Sequence, residues 1–498
     1  DYYNVSKFDF EKLIDDSNNI DTNLKDYING FSDDVKEILD NFEIATIIEK
    51  LKKAGLLYLV VQKFSEINLG ADTIDNLEMG YMFEELIRKF SEQSNETAGE
   101  HFTPREVIEL MVEVLLDTDL DEITTTDGKV ITILDPACGT GGMLSIAQNK
   151  IRALNSRTTV VPFGQELNPE TYATCKSDMI LKNNTNSKIV FGNSFSEDGF
   201  REQKFDYILS NPPFGVEWKK VKNFIENESK HKGYDGRFGA GTPRISDGSL
   251  LFLQHMISKM QPIEKGGSRI GIVFNGSPLF SGDAGSGESE IRKWIIEKDL
   301  LEAVIGLPDQ LFYNTGISTY VWILTNRKTD RRKGKIRLIN GTSFFGKMRK
   351  SLGNKRNEIT ESDRKEIVRL YSTYEHDENY IDFDNDDFGY RKITIERPLY
   401  DENREIVVEK GNPKPNSKLR DTETVPFKED IHEYFKREVL PHVPDAWIDE
   451  KKTKIGYEIP FTRHFYKFTP LRESSVILDE IKQLEEKIQK SLNELFKG

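Results

Sequence analysis

Apolar positions over residues 1 to about 98 recur at helical spacing. In "DDVKEILDNFEIATIIEKLKKAGLLYLVVQKF" and "MGYMFEELIRKFSEQ" they fall three and four residues apart, which predicts a helical domain over residues 1–98. From about Val130 to Leu324 the pattern changes. Short β-branched runs ("VITILD", "KIVFGN", "FDYILSN", "RIGIVFN", "TYVWILTN") alternate with amphipathic stretches such as "SLLFLQHMISKM". That alternation predicts a mostly parallel sheet covered by helices on both faces. Long polar, Gly-rich loops interrupt it between Glu217 and Asp247 and again after Phe280. Near the C-terminus Ile477, Ile481, Leu484, Ile488 and Leu495 step by three and four, apart from Ser491, and predict one amphipathic helix. Its stripe packs either on its own domain or on a partner helix.

Composition narrows the class. With 37% hydrophobic and 31% charged residues the chain is a globular protein, and no apolar run approaches the roughly 18 residues of a membrane span. The only cysteines, Cys138 and Cys175, form no regular framework, so a reducing, cytoplasmic setting is expected. The chain starts at Asp1 rather than methionine, so further residues are expected ahead of it, and no signal peptide is read. A net charge of -15 argues against unaided contact with a phosphate backbone; a nucleic-acid partner is expected to be met through a local patch or another subunit. Two basic clusters between residues 327 and 356, "RKTDRRKGKIR" and "GKMRKSLGNKR", read either as a solvated face or as a phosphate or partner surface. The acidic "DFDNDDFG" is no calcium loop, because Asp387 stands where the glycine belongs and Ile393 where the closing glutamate belongs.

Three short stretches carry the chemistry. "ILDPACGTGGML" is a strand ending at Asp135 that turns through Gly139, Gly141 and Gly142 into a helix, a geometry that lets a ligand approach the backbone. Leu144 replaces the third glycine of a dinucleotide site, and no GK[ST] follows, so neither phosphate-binding pattern fits. Some 30 residues on, Glu166 ends a second apolar strand, where a carboxylate can accept both hydroxyls of a ribose. The third stretch is "FDYILSNPPFG". Two prolines fix the backbone and remove two N–H donors at a strand's C-terminal end. Acceptors are left for an exocyclic amine: the Asn211 side-chain oxygen and the Pro212 carbonyl. Phe214 offers a face on which a base stacks, worth about 1–3 kcal/mol.

"DPACGTGG" followed by "NPPF", with "GEHFTP" ahead of both, resembles the S-adenosylmethionine-dependent amino-methyltransferases. It is most similar to the modification subunit of type I restriction-modification systems, with "FTP" first as in the gamma arrangement of adenine-N6 enzymes. The likeness extends through "GRFGAGTPRISDGSLLFLQHMISKM", "NGSPLFSGDAGSGESEIRKWIIE", "LPDQLFYNTGIS", "FDNDDFGYRKITIERPL" and "GYEIPFTRHFY". The resemblance implies an α/β, Rossmann-like class I methyltransferase with a mostly parallel seven-stranded sheet, preceded by an all-helical N-terminal domain and followed by a helical tail. It divides the chain into a helical domain (1–98), a catalytic domain (99–345), a charged extension packing on it (346–470) and a C-terminal helix for subunit contact (471–498). Phe102, Thr103 and Pro104 are then expected at the methionine end of the cofactor. Asp135, Ala137, Gly139 and Gly141 would wrap its amino acid part, Glu166 its ribose, and Asn193 its adenine, in place of the acidic residue that the family tends to carry. Asn211, Pro212, Pro213 and Phe214 would bind the extruded target adenine, with Phe312 or Tyr313 closing its other side. No metal is expected.

The implied partners are DNA, a specificity subunit bound by two modification subunits, and a restriction subunit in the full complex, with no membrane. The loop at 219–247 and the clusters at 327–356 are the expected local DNA contacts. Rival readings are a glutamine or RNA methyltransferase of the NPP type and a silent methyltransferase-like scaffold.

Overall fold

The computed structural model describes residues 2–69, 103–466 and 473–495, apart from Asn183, Thr185 and Asn314, together with scattered positions between 73 and 89. Two compact units divide the chain, residues 1–459 and 460–498.

The first unit opens with five short helices, α1 (Phe10–Asp15), α2 (Ile20–Asn29), α3 (Asp33–Asn41), α4 (Ile44–Lys53) and α5 (Leu57–Ser65). Their buried stripe is Leu13, Ile20, Leu24, Ile48, Leu57 and Val61, the periodic apolar positions of the sequence. Helix α6 (Arg105–Leu116) follows, buried along most of its length as its eight inward apolar residues demand.

A nine-stranded sheet forms the centre: β1 (Val130–Asp135), β2 (Thr159–Glu166), β3 (Lys188–Phe191), β4 (Tyr207–Ser210), β5 (Arg269–Asn275), β6 (Leu301–Gly306), β7 (Thr319–Thr325), β8 (Lys335–Asn340) and, beyond the hairpin β9 (Gly346–Leu352) and β10 (Lys355–Glu358), β11 (Tyr380–Asp384). The spatial order is β11-β8-β6-β7-β5-β4-β1-β2-β3, with β7 and β11 antiparallel to their neighbours. Seven of these strands are the expected mostly parallel core. β8 and β11 extend it: β11, from the stretch 346–470, completes the sheet's edge, while residues 389–396, 421–426, 447–448 and 454–457 of that stretch form a separate four-stranded antiparallel sheet. Strands β4, β6 and β7 are buried at every position, as near-continuous apolar runs in a covered sheet must be.

The chain leaves β1 toward β2 and β3, then returns to place β4 on the other side of β1. Strand order reverses there, and open α/β sheets bind ligands in the crevice beyond the strand ends at such a point. Helices α7 (Gly142–Leu154) and α8 (Pro169–Leu181) follow β1 and β2. The second starts where Asn168 accepts from Thr171 N and Pro169 presets the first turn. On α8, Tyr172 and Lys176 both reach Glu37 of α3, at 2.8 and 2.7 Å, which fastens the helical front to the sheet.

The opposite end of the sheet corrects one expectation. The cluster "RKTDRRKGKIR" is neither solvated nor a phosphate surface over most of its cations. Arg327 grips Asp119 with two bonds of 2.6 Å, Lys328 pairs with Asp299 at 2.6 Å, and Arg337 holds Asp382 with two bonds of 2.7 Å. Arg332 lies over the Tyr371 ring, beside a buried pair in which Arg269 donates to Glu302 at 2.7 Å. Their partners sit far away in sequence, so the run itself gave no sign of them.

In the second unit, helix α14 (Ser474–Leu495) carries Val476, Ile477, Leu478, Ile481, Leu484 and Ile488 exposed. Among the described residues no helix is long and apolar enough to cross a membrane.

Candidate active site

A cavity of about 740 Å³ opens at the carboxyl ends of β1, β2 and β4, a size suited to a nucleoside-bearing cofactor. Thr103, Asp135, Ala137, Gly139, Glu166, Asn193, Asn211, Pro213 and Tyr313 all line it. Residues spread over more than two hundred positions of sequence thus converge. Phe102 lies outside the described residues. Pro104 opens α6, and Gly141, Pro212, Phe214 and Phe312 are not among the lining residues.

Local backbone explains the glycine turn. Gly139 and Gly141 both have positive φ, 54° and 84°, and a Cβ on Gly141 would meet Cys175 Sγ of α8 at 2.7 Å. Gly141 therefore lets two helices approach closely, while Gly139 and Thr140 face the cavity. Glu166 is 7% exposed and rigidly held: it accepts from Gly139 N at 2.9 Å, Leu167 N at 2.9 Å and Asn168 N at 2.8 Å. Asp135 accepts from Ala137 N at 3.0 Å and from Ser210 Oγ at 2.9 Å. Burial pushes its carboxyl up to about 7, with the Glu166 charge adding to the rise against those two hydrogen bonds.

Asn193 lines the cavity, but its Oδ1 already accepts from Phe195 N at 2.9 Å and Ser196 N at 3.2 Å. Its side chain shapes the turn instead of offering the free acceptor that the sequence suggested for an adenine amine. Ser194 Oγ donates to Pro136 O and so ties this turn to the glycine loop.

The "NPPF" asparagine is oriented by "FTP". Asn211 Nδ2 donates to Thr103 Oγ1 at 3.0 Å, which turns Oδ1 the other way; among the described residues that oxygen is buried and without a partner. An unpaired buried acceptor costs stability of about 1–3 kcal/mol, so its presence in a cavity marks a place for a donor. Phe214 packs at the rim of the core with its ring 6.4 Å from that of Phe312, edge to face. Phe312 is only 3% exposed, so of the two aromatics considered for the far wall it is Tyr313 that reaches the cavity.

Several wall residues escaped the sequence reading. Glu106, in the first turn of α6, lines the cavity and pairs with buried Lys355 of β10. Phe195 and Phe252 add an apolar side, the latter from helix α10 (Ser249–Ser258); the nearest sequence signal was Phe195's place two residues after Asn193. Arg237 was missed altogether. It follows helix α9 (Lys222–Lys232) in the long loop and donates from Nη1 to Ser194 O at 3.0 Å and from Nη2 to Phe195 O at 2.6 Å. Glu228 clamps the same guanidinium at 2.7–3.2 Å, and the Phe238 ring lies 4.8 Å beneath it. His255, which burial pushes down to about 3, is neutral there and accepts from Arg237 Nη1 at 3.2 Å.

Against known proteins, residues 75–389 match the N-6 DNA Methylase family. The chain belongs to that family. Among curated relatives, the type I restriction enzyme MjaIX methylase subunit of Methanocaldococcus jannaschii is 27% identical over 383 residues, covering 75% of this chain and 62% of that protein. The type I restriction enzyme HindI methylase subunit of Haemophilus influenzae is 31% identical over 280 residues, 55% of each. The chain thus spans 55–62% of the length of these two relatives. A solved type I restriction-modification methyltransferase subunit from Streptococcus thermophilus shares the fold, with a TM-score of 0.60 and 24% identity over 76% of both chains.

Proposed function

We propose that this chain is the modification subunit of a type I restriction-modification complex, a cytoplasmic enzyme that methylates the N6 amine of adenine in DNA. The observation that carries the reading is Asn211, a residue of the cavity wall whose amide is tied to Thr103 through Nδ2 and whose buried Oδ1 has no donor among the described residues. Family membership and the similarity to type I methylase subunits support it.

S-adenosylmethionine fits the donor set: two carboxylates, a left-handed glycine turn and an apolar side. Bound there, it supplies an electrophilic methyl group on a sulfonium. Glu166, fixed by three backbone N–H groups, accepts from ribose hydroxyls, and Asp135 faces the cationic amino acid end. The chain's own work is then alignment. Asn211 Oδ1 and the Pro212 carbonyl accept the two amine hydrogens of the target base, which keeps its lone pair directed along the transfer line; Phe214 and Tyr313 hold the base's plane. A neutral amine needs no prior deprotonation, so no general base is required before attack. Reaching that position requires the adenine to leave the duplex. The described residues contain no groove-reading motif that would choose a sequence, so a specificity subunit supplies that choice, with a restriction subunit added for cleavage. The exposed apolar stripe of α14 suits contact with such a partner.

The direct test is nucleoside mass spectrometry of DNA from a host lacking adenine methylation, expressing this chain with its neighbouring specificity gene. New N6-methyladenine is expected; its absence from a folded, cofactor-binding complex rejects the reading.

Asp135 gives a pH prediction. Its raised folded-state value means that the free protein retains a proton there up to about pH 7, whereas the unfolded chain releases it near 3.8. Stability owed to that proton is full below about pH 4 and is lost as pH rises through about 7. A bound cation favours the ionised form, so cofactor affinity should rise through the same window. Titration calorimetry at pH 6.5 in buffers of different ionisation enthalpy should show release of a fraction of a proton, up to about one, on binding. Asp135→Asn should abolish the release; a buffer-independent heat in the unaltered protein counts against this role.

A further inference from the structure

The second basic cluster, unlike the first, stays on the surface. It forms the hairpin β9–β10, in which Lys347, Arg349, Lys350 and Arg356 are exposed. Among the described residues none of the four has a carboxylate partner. Glu358, at the hairpin's foot, is its one exposed acid. Four unpaired cations on one ribbon repel one another, and against a net charge of -15 they form a local positive surface that folding itself does not use.

The ribbon's position gives this charge a purpose. Its turn and second strand are bonded to the loop between β6 and β7: Arg356 N donates to Gln310 O at 2.9 Å, Asn354 N to Tyr313 O at 3.0 Å, and Asn357 Nδ2 to Asp309 O at 2.8 Å. Buried Lys355 donates to Leu311 O at 3.1 Å and pairs with Glu106, a cavity residue. Tyr313 of the same loop lines the cavity. The cationic ribbon is therefore anchored at several points to the wall that closes the candidate base site.

We propose that the β9–β10 hairpin is a phosphate-gripping element that binds the backbone of duplex DNA beside the extruded base. For its partner the inference rests on the proposed methylation of DNA. Turning a nucleotide out of the helix rotates it about its own backbone, so the flanking phosphates must be held while the base enters the cavity. Exposed lysines and arginines on a rigid ribbon supply that grip without reading sequence, consistent with a chain that leaves sequence choice to another subunit. The remaining exposed lysines of α9 are interleaved with acids, including the Lys222–Glu226 pair at 3.6 Å, and carry less net charge.

The test uses the full chain loaded with S-adenosylhomocysteine and a labelled duplex of about 30 base pairs, followed by anisotropy over a series of potassium chloride concentrations. Each released phosphate contact lowers the slope of log affinity against log salt by about one. Replacing Lys347, Arg349, Lys350 and Arg356 together by serine should reduce that slope by about 3–4 and weaken binding at low salt by about tenfold or more, with S-adenosylhomocysteine affinity unchanged. An unchanged slope, or no duplex binding by the unaltered chain at low salt, overturns the proposal. Displacement of the hairpin's occupant by polyglutamate, with duplex affinity equal in both proteins, assigns the surface to an acidic protein and also overturns it. Failure of the methyl-transfer reading is separate: it would show as no uptake of S-adenosylhomocysteine, while the duplex titration still judges the hairpin.

Discussion

Asn211→Ala should lower the methyl-transfer rate by about 10²–10³, comparable with loss of one preorganised polar group facing a transition state, while cofactor affinity changes little. The asymmetry follows from geometry. Among the described residues Asn211 Oδ1 is a buried acceptor without a partner, whereas Glu166 and Asp135, which line the cavity, are held by backbone groups and Ser210. An amide has two different ends, and a rotated one would set its NH2 against the amine of the base, donor against donor. The Thr103 hydroxyl, 3.0 Å from Nδ2, pins the amide plane at one end. Thr103→Val should consequently lower kcat by about tenfold, with the folded structure intact. Single-turnover kinetics on the assembled complex, beside calorimetric titration with S-adenosylhomocysteine, measures both effects. An Asn211→Ala enzyme that retains its rate would move the acceptor role elsewhere.

The largest stability effect is expected at the other end of the sheet. Burial pushes the Glu302 carboxyl up, but Arg269 and Arg332 outweigh it and hold the group below its usual range. Glu302 and Arg269 are 0% and 1% exposed in their side chains, and the Tyr371 hydroxyl donates to the same carboxylate at 2.6 Å. Glu302→Leu leaves a guanidinium buried without its counter-ion, which should cost about 3–5 kcal/mol, read as a lower urea midpoint at an unchanged slope. Replacing both partners, Arg269→Met with Glu302→Leu, should recover part of that loss, because the desolvation of the cation disappears with it. Equal losses in the single and double variants would mean that the pair acts only through packing.

What the sequence disclosed was mainly backbone geometry. Gly139 and Gly141 announce left-handed turns, and Pro212 and Pro213 announce a stiff strand exit; those properties belong to single residues, so they are legible locally. The parallel sheet was legible for the same reason, in runs such as "YILS" that stay buried on both faces. Side-chain partners were not. Asp119 meets Arg327 across 208 positions and Lys355 meets Glu106 across 249, so the sequence could not separate the buried cluster from the exposed one. Nor could it show that Asn193 would use its oxygen within its own turn, or that Tyr313 rather than Phe312 would face the cavity.

Arg237 joins the loop bearing α9 to the carbonyls of Ser194 and Phe195, on the floor of the cavity. Order in that loop and occupancy of the cavity therefore share one free energy, and the exchange between them is reciprocal. A ligand that settles the floor should slow amide hydrogen exchange along Lys222–Lys232, and anything that stills this segment should tighten the ligand by the same factor.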